Sequence, residues 1–328
     1  MHRLLHVGLG PLGQRIQADL IERRSARVAA AVDTSPRLAG RLLAEVVPGA
    51  APGTMVLGSI EEALERAPFD CALLTTSSDL VRCAPSLRAL LGSGVSVVST
   101  CEELWYPWLR HAALAGELDG LAREHGARLV GTGVNPGFLM DALPLFASAA
   151  CREVRAVRAW RIQDATQRRT PFQLKIGAGL DPAEFAERAA AGEIRHVGLG
   201  ESLHFLAHYL HLPLEEWSES IEPVITEREL ECAAGRIAPG AVAGVRQLAR
   251  ASGRGREVLR LEFQAAIGQA DPHDRIAIDG EPAVDLVLRG GLHGDAATSA
   301  LLLNTIRPLL AAPAGLHTMA TLPLPYCG

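Results

Sequence analysis

The chain is poor in the features that mark membrane, secreted or nucleic-acid-binding proteins. No apolar run approaches the roughly 18–20 residues that a membrane-spanning helix needs. The opening residues, MHRLLHVG, are too briefly apolar for a signal peptide, so none is expected. The net charge is −5, which predicts no basic surface for nucleic acid or anionic lipid. The composition therefore favours a small-molecule partner, with no nucleic acid and no membrane.

Cysteine and lysine are also scarce. The six cysteines are widely spaced, without a CxxC pair or a Cys/His ligand spacing, so we predict reduced thiols in a cytoplasmic protein. His204, His208 and His211 share a predicted helix face, but no carboxylate or cysteine completes a ligand set, and we predict no metal site. Lys175 is the only lysine in a chain rich in Arg and Ala, which makes it a candidate for a specific role.

Strand-like and helix-like segments alternate through the first half of the chain. Strands are predicted at residues 4–8, 27–32, 54–57, 70–74, 95–99 and 128–130, and helices at residues 12–24, 36–46, 60–66, 80–91 and 109–125. Such alternation is typical of parallel βαβ units. It predicts an α/β protein whose N-terminal part is a Rossmann domain with a doubly wound parallel sheet.

The pattern changes after residue 135. Strands of an antiparallel or mixed sheet are predicted at residues 153–163, 218–230, 257–268, 275–279 and 283–288, and helices at residues 138–149, 182–191, 201–212 and 295–310. Pro308 and Pro313 are expected to stop the last helix. We expect a dinucleotide-binding domain at residues 1–135, a substrate-binding and dimerisation α+β domain at residues 136–292, and a C-terminal helix at residues 293–328 that returns to the Rossmann domain.

A glycine motif follows the first predicted strand and opens the first predicted helix. It fits the pattern GxGxxG and consists of Gly8, Leu9, Gly10, Pro11, Leu12 and Gly13. In this context Gly8 permits a tight turn, Gly10 lets the backbone approach a pyrophosphate, and Gly13 lets helix and strand pack closely. The helix start offers N–H groups and a positive dipole end to the phosphates. The motif therefore predicts a nicotinamide dinucleotide site.

Other residues at predicted strand ends bear on this cofactor. Asp33 lies twenty residues after Gly13, where a carboxylate accepts hydrogen bonds from the adenosine ribose and repels a 2′-phosphate. This favours NAD, although Arg37 could reach the 2′-phosphate of NADP, and dual use stays open. Thr75, Thr76 and Ser77 close the fourth strand and are expected to contact the cofactor through their hydroxyls.

Several long stretches resemble the native amine dehydrogenases and the related 2,4-diaminopentanoate dehydrogenases, which share a dihydrodipicolinate reductase-like fold. They are residues 98–104 (VSTCEEL), 131–141 (GTGVNPGFLMD), 164–177 (DATQRRTPFQLKIG), 196–202 (HVGLGES) and 290–298 (GGLHGDAAT). The resemblance spans nearly the whole chain. It implies a homodimer with a substrate pocket in the second domain, and NAD(P)H-dependent reductive amination of a carbonyl compound with ammonia.

The resemblance also implies that a glutamate in the stretch 98–104 is catalytic. A partly buried carboxylate can take protons from ammonia and stabilise an iminium ion. Glu102 and Glu103 both follow a parallel strand, where Rossmann sheets place their chemistry. Only one of them can face the nicotinamide if the chain is still extended there. We favour Glu102 and keep Glu103 open. Asn135, in a turn sequence, is expected to bind the nicotinamide carboxamide or orient the carboxylate.

Aromatic and basic residues are assigned to the substrate pocket. Trp105 and Tyr106 are expected to form an apolar wall next to the glutamates, in a chain with only 4% aromatic residues. The remaining pocket candidates lie in the resembling stretches and are Phe138, Arg168, Phe172, Lys175 and His196. Arg168 or Lys175 could clamp a substrate carboxylate. Gln163 departs from the more apolar family pattern.

The main hypothesis is an amine dehydrogenase acting on a small ketone or aldehyde, and in reverse on a primary amine. A 2,4-diaminopentanoate or other diamino-acid dehydrogenase is the alternative within this class. A dihydrodipicolinate reductase-like or homoserine dehydrogenase-like enzyme is a second alternative, although no lysine stands beside the glutamate pair. The third is a non-catalytic NAD(P)-binding regulator, because a fold alone does not fix a function.

Overall fold

The computed structural model describes residues 2–23 and 27–327 and divides the chain into two compact units. Unit 1 contains residues 1–138 and 293–328, and unit 2 contains residues 139–292. The first elements are β1 (Arg3–Val7), α1 (Pro11–Arg23), β2 (Arg27–Val32), α2 (Leu43–Val46), β3 (Val56–Leu57), α3 (Ile60–Arg66), β4 (Cys71–Leu74), α4 (Leu80–Gly92), β5 (Ser96–Ser99), α5 (Ala112–Glu124) and β6 (Arg128–Gly131).

The later elements complete the chain. They are α6 (Ala142–Ala147), β7 (Glu153–Asp164), α7 (Thr170–Lys175), α8 (Pro182–Ala190), α9 (Leu199–Tyr209), β8 (Glu216–Ile225), β9 (Leu230–Cys232), β10 (Gly235–Ile237), β11 (Val242–Gly253), β12 (Arg256–Ala266), β13 (His273–Glu281), β14 (Val284–Arg289), α10 (Gly294–Ala311) and β15 (Gly315–His317). Short 3-10 helices lie at Glu102–Leu104, Pro107–Leu109 and Ser148–Ala150.

Unit 1 is built on a seven-stranded parallel sheet with the strand order β15-β6-β5-β4-β1-β2-β3. β4 (CALL) and β5 (SVVS) are buried along their whole length, as expected where helices cover both faces of parallel strands. The strand order reverses beside β1, which is where doubly wound sheets bind their ligands. The predicted Rossmann sheet is confirmed. α10 packs against α1, β5 and β6, and β15 pairs with β6.

Unit 2 contains a six-stranded mixed sheet with the order β14-β13-β7-β12-β11-β8. Only the β12–β7 pair is parallel among these described strands, and the others run antiparallel. α8 packs on β8, and α9 packs on β11 and β12. The enclosed core includes Phe185, Ile237 and Phe263. The prediction of a mixed second sheet is therefore confirmed.

Several predicted boundaries are wrong. The segment expected as one strand at residues 218–230 ends at Ile225, and β11 was not expected, because its many Ala and Gly residues have low strand propensity. The helices expected at residues 36–46 and 138–149 shrink to α2 and α6. Pro308 does not stop α10, which continues to Ala311. A proline removes one hydrogen bond, and packing on α1 can outweigh that loss.

Two further observations bear on the expected protein class. Within the described ranges, no helix combines the length and the apolar character that crossing a membrane requires. All six cysteines are free.

Candidate active site

The glycine loop between β1 and α1 is formed by three glycines with different surroundings. Gly8 has a φ of +97°, and a Cβ there would lie 2.9 Å from the Thr75 carbonyl oxygen. A Cβ on Gly13 would lie only 2.1 Å from the Gly8 oxygen. A Cβ on Gly10, in contrast, would meet nothing within 4 Å. Gly8 and Gly13 are thus required by the fold, and Gly10 leaves an open backbone surface that a pyrophosphate fits.

The N-terminus of α1 adds donors to this surface. Pro11 is the first residue of the helix, where the missing N–H costs no helical bond. Gln14 donates its N–H to the Gly10 carbonyl at 2.9 Å, so the N–H groups of Leu12 and Gly13 precede the hydrogen-bonded ladder. Such N–H groups, with the helix dipole, bind phosphate. The loop therefore fits a dinucleotide cofactor on its own geometry.

Asp33 lies just past β2 and is held against the glycine loop. Its Oδ2 accepts the Leu9 N–H at 2.7 Å, and its Oδ1 accepts the Ser35 N–H at 2.8 Å. The carboxylate is therefore fixed beside the glycine loop. Arg37 is exposed, and its backbone N–H donates to the Ser35 hydroxyl at 3.4 Å.

The hydroxyls at the end of β4 have different surroundings. Thr75 is half-buried and donates its hydroxyl to the Gly8 carbonyl at 2.7 Å, so it serves the loop itself. Thr76 is exposed, and Ser77 accepts the Asp79 N–H at 3.1 Å. Whether these hydroxyls contact a cofactor stays a prediction.

The glutamate pair does not lie on extended chain. Glu102 and Glu103 form a 3-10 helix, closed by the Leu104 N–H to Cys101 carbonyl bond at 3.1 Å. The condition under which successive side chains face opposite ways is therefore not met, because residues of a 3-10 helix are about a third of a turn apart. The backbone turns immediately after the strand.

Glu103 has a structural role at the start of α4. Its Oε2 accepts the Leu80 N–H at 2.9 Å, which satisfies a donor that the helix leaves unbonded. The same oxygen lies 3.1 Å from His111 Nε2. The Glu103 N–H donates to the Ser78 carbonyl at 3.2 Å. Glu102 is half-buried beside it, at the same edge of the sheet as the glycine loop.

The Asn135 loop follows β6 at this edge. The Thr132 N–H donates to the Ser99 carbonyl at 2.8 Å, and the Val134 N–H donates to Thr298 Oγ1 at 3.2 Å. Gly137 has a φ of +127°, and a Cβ there would lie 2.3 Å from the Gly133 nitrogen. The loop is therefore closely held, and Asn135 within it is 8% exposed.

The apolar pocket candidates of unit 1 differ in exposure. Trp105 is 1% exposed and belongs to the packed interior. Tyr106 is half-buried and meets Trp108 edge-on, with 5.2 Å between ring centroids. Phe138 is half-buried. Their contact with a substrate stays a prediction.

Unit 2 brings the basic pocket candidates near one another. Arg168 stacks its guanidinium over the Phe172 ring at 4.2 Å, and Lys175 is exposed at the end of α7. His196 stacks on Phe263 at 4.4 Å. Burial, followed by the positive charges of Lys175 and Arg161, lowers the pKa of His196 to about 3. His196 is therefore a neutral imidazole within electrostatic range of these cations.

Several site-forming residues were not foreseen from the sequence. They are His6, Gln17, His111, Arg161, Gln247 and Asp274. Gln247 clamps the His196 backbone, accepting its N–H at 2.7 Å and donating to its carbonyl at 2.9 Å. The sequence signal that could have indicated such residues is a polar side chain inside an apolar strand, such as His6 in β1 and Arg161 in β7. Gln163, the departure from the family pattern, donates to the Leu292 carbonyl at 3.4 Å.

The histidines of α9 take part in packing. His204 meets Trp217 edge-on at 4.8 Å, and its Nδ1 lies 2.9 Å from the Gly200 carbonyl. His208 lies edge-on to Tyr209 at 4.9 Å. In the part of the chain that the structure describes, no group of three His, Cys, Asp or Glu residues could hold a metal ion.

A parallel Rossmann sheet with this glycine loop defines the class of the protein as a dinucleotide-binding α/β protein. The sequence model of the 2,4-diaminopentanoate dehydrogenase C-terminal domain matches residues 138–327. The chain therefore belongs to that family of NAD(P)-dependent dehydrogenases acting on amines.

Individual relatives agree with this placement. The chain is 26% identical to a 2,4-diaminopentanoate dehydrogenase of Acetoanaerobium sticklandii over 98% of its own length and 94% of the relative. It superimposes on the amine dehydrogenase of Mycobacterium smegmatis with a TM-score of 0.86, at 24% identity, covering 99% and 97% of the two chains. The WlbA dehydrogenase of Bordetella pertussis, solved with NADH and UDP-GlcNAcA, matches with a TM-score of 0.54 at 17% identity over 94% and 88%.

Proposed function

We propose that the protein catalyses reductive amination of a small ketone or aldehyde with ammonia, and in reverse the oxidative deamination of a primary amine. One observation carries the proposal. A glycine loop fitted to a dinucleotide and the half-buried Glu102 lie at the same edge of one parallel sheet. Membership of an amine-acting family supports the same reaction.

Each residue of unit 1 has a distinct proposed task. The open backbone at Gly10 and the first N–H groups of α1 hold the pyrophosphate, and Asp33 accepts the ribose hydroxyls. The bound nicotinamide supplies the hydride in one direction and accepts it in the other. Glu102 takes a proton from ammonium and stabilises the positive charge of the iminium ion. Asn135 orients the carboxamide or the carboxylate.

Glu103 is assigned to the fold and not to the chemistry. Its Oε2 is engaged by the Leu80 N–H and by His111, and these contacts anchor the segment that carries Glu102. This division of roles favours Glu102 as the catalytic member of the pair.

We infer a preference for NAD over NADP. Asp33 is fixed beside the loop by two backbone donors, and a 2′-phosphate at that position would meet a held negative charge. Arg37 is exposed four residues later and keeps some use of NADP open.

A diamino acid is a second candidate substrate, favoured by the grouping in unit 2. Lys175 and Arg161 both act electrostatically on His196, and Arg168 acts on Arg161. Within this grouping Arg168 and Lys175 would bind a substrate carboxylate, because guanidinium and ammonium groups form charge-assisted hydrogen bonds with it. Arg161 is buried and already paired with Asp274. A simple ketone would not need this grouping.

The proposal is tested by measuring the oxidation of NADH and NADPH with and without ammonium. The carbonyl substrates are small ketones, aldehydes and amino keto acids. Ammonium-dependent turnover is expected, and it should be lost in Glu102→Gln. Turnover without ammonium would indicate a carbonyl reductase. Cofactor binding with no turnover on any substrate would favour the regulator. A tenfold or greater preference for carboxylate-bearing substrates would select the diamino-acid candidate.

The assembly and location of the protein are also proposals. We infer a homodimer in which residues 136–292 provide the dimerisation surface, and a cytoplasmic enzyme. Sedimentation velocity of the purified protein tests the dimer, which a monomer at micromolar concentration would contradict.

A further inference from the structure

Three polar side chains meet beside the glycine loop; two of them are buried, and the third, Thr75, is half-buried. His6 on β1 is 0% exposed, and Gln17 on α1 is 1% exposed. The Gln17 Nε2 lies 2.7 Å from His6 Nδ1, and His6 Nε2 lies 3.0 Å from Thr75 Oγ1, just past β4. Thr75 Oγ1 in turn lies 2.7 Å from the Gly8 carbonyl oxygen. Buried polar groups that meet in this way fix the elements that carry them.

The Gly8 carbonyl decides where the protons lie. A carbonyl oxygen only accepts, so at 2.7 Å the Thr75 hydroxyl must donate to it. Thr75 then has only lone pairs for His6, so His6 Nε2 must carry the proton and donate. His6 Nδ1 is consequently the acceptor for the Gln17 amide. Burial lowers the pKa of His6 to about 3, which agrees with this neutral tautomer.

The chain of hydrogen bonds continues through one peptide group to the ribose carboxylate. The peptide that joins Gly8 to Leu9 accepts the Thr75 hydroxyl at its carbonyl and donates its N–H to Asp33 Oδ2 at 2.7 Å. Gly8 has a φ of +97° at this point, a backbone conformation that glycine adopts readily and other residues rarely adopt. All donors point the same way, and such chains strengthen cooperatively.

We propose that His6, Gln17 and Thr75 are positioning residues that set the Gly8–Leu9 peptide and the Asp33 carboxylate for the adenosine and pyrophosphate half of the cofactor. None of the three is assigned to contact substrate. The inference rests on the proposed function only through its nicotinamide cofactor. It holds for any reaction that the bound cofactor serves, so failure of reductive amination would leave it standing.

Paired variants separate positioning from general stability. Thr75→Val removes the hydroxyl at constant volume, and Thr75→Ser keeps it. His6→Leu removes the donor, and His6→Gln places an amide N–H near the Nε2 position. Thr305→Val is the matched control, because the Thr305 hydroxyl in unit 1 likewise donates to a backbone carbonyl, that of Leu301 within α10, at 2.7 Å. Thr305 is fully buried, so losing its hydroxyl tests the effect on stability.

The readouts are dissociation constants for NADH, for ADP-ribose and for nicotinamide mononucleotide, with Tm measured on each variant. Thr75→Val and His6→Leu should weaken NADH and ADP-ribose roughly tenfold, about the value of one hydrogen bond, and leave the mononucleotide unchanged. The dissociation constants of Thr75→Ser and His6→Gln for NADH and ADP-ribose should stay within about threefold of the wild-type values, because both variants keep the hydrogen bond.

Three results would overturn the inference. The first is that Thr75→Val binds NADH as tightly as the wild type. The second is that Thr305→Val weakens NADH binding as much as Thr75→Val does. The third is that Thr75→Ser weakens NADH binding as much as Thr75→Val does. If His6→Leu does not fold, the two Thr75 variants still decide the question. A wild type that binds NADH but aminates no carbonyl would contradict the proposed reaction alone.

Discussion

Arg161 and Asp274 form a buried ion pair in unit 2, with Nη1 3.2 Å from Oδ1 and both side chains 2% exposed. They face each other across the β7–β13 pair. Both also bind Leu292, since Arg161 donates to its carbonyl at 3.2 Å and Asp274 accepts its N–H at 2.8 Å. Burial lowers the pKa of Arg161 to about 10 and raises the pKa of Asp274, although each partner opposes the shift of the other. The pair therefore holds Leu292, the last residue of unit 2, in place. This arrangement requires the desolvation of two charges.

Breaking this pair on one side should destabilise the protein strongly. Arg161→Met leaves Asp274 buried without its cation, and we expect a loss of about 3–5 kcal/mol in the free energy of unfolding by urea. The double variant Arg161→Met, Asp274→Leu should lose less than the single one. The exposed pair Arg275–Asp285 is the control, and Arg275→Met should change little. Equal losses for Arg161→Met and Arg275→Met would contradict the account.

The two glutamates should separate stability from activity. Glu103→Gln weakens the contacts with Leu80 and His111 and should lower Tm by a few degrees, with a smaller effect on kcat. Glu102→Gln should keep Tm near the wild-type value and lower kcat by at least roughly a hundredfold, as expected for a general base. Thermal unfolding and steady-state kinetics on both variants measure this. The reverse pattern would assign the chemistry to Glu103.

A methyl group on either of two loop glycines should weaken NADH binding, but only one of the two substitutions should lower Tm. Gly13→Ala places a Cβ 2.1 Å from the Gly8 carbonyl, so the loop must shift and both Tm and NADH affinity should fall. Gly10→Ala meets nothing within 4 Å, so Tm should be unchanged. Its methyl would occupy the surface proposed for the pyrophosphate, and NADH binding should still weaken by tenfold or more. Unaltered NADH binding by Gly10→Ala would place the phosphates elsewhere.

Asp33 should control the choice between NAD and NADP. Asp33→Ser removes the charge that would repel a 2′-phosphate, so kcat/KM should fall for NADH and rise for NADPH. The ratio of the two values is expected to change by at least roughly tenfold. Arg37→Ala should reduce kcat/KM for NADPH only. If the ratio is the same in Asp33→Ser and the wild type, Asp33 does not contact the adenosine ribose of the cofactor.

Stability should fall with acid in a window set by His6 and His196. The pKa of each is lowered to about 3 in the fold, and an unfolded histidine titrates near 6.5. The unfolded chain therefore binds more protons between these values, and stability is lost as the pH falls through this window. His6→Gln should reduce the loss of unfolding free energy between pH 7 and pH 5 by about 2 kcal/mol. Urea unfolding at both pH values measures it, and an unchanged loss would mean that His6 titrates normally.

Much of unit 1 could be predicted because its signals are local. The glycine motif and Asp33 belong to one βαβ unit, β1–α1–β2. The strand and helix alternation from β1 to β6 is read from hydrophobic periods that are each confined to one element. The weaker predictions in unit 2 have a physical reason. β11 is built largely of small residues and becomes a strand because β12 and β8 pair with it on both sides.

The sequence by itself determined the nucleotide-binding architecture, the family and the short list of acidic and basic candidates. Only the tertiary structure decided which of those side chains meet. Glu103 binds the start of a helix 23 residues earlier in the chain, Thr75 binds Gly8 across 67 residues, and Arg161 finds Asp274 across 113. Such contacts leave no periodic pattern in the chain, because they depend on where separate strands and helices are brought together by packing.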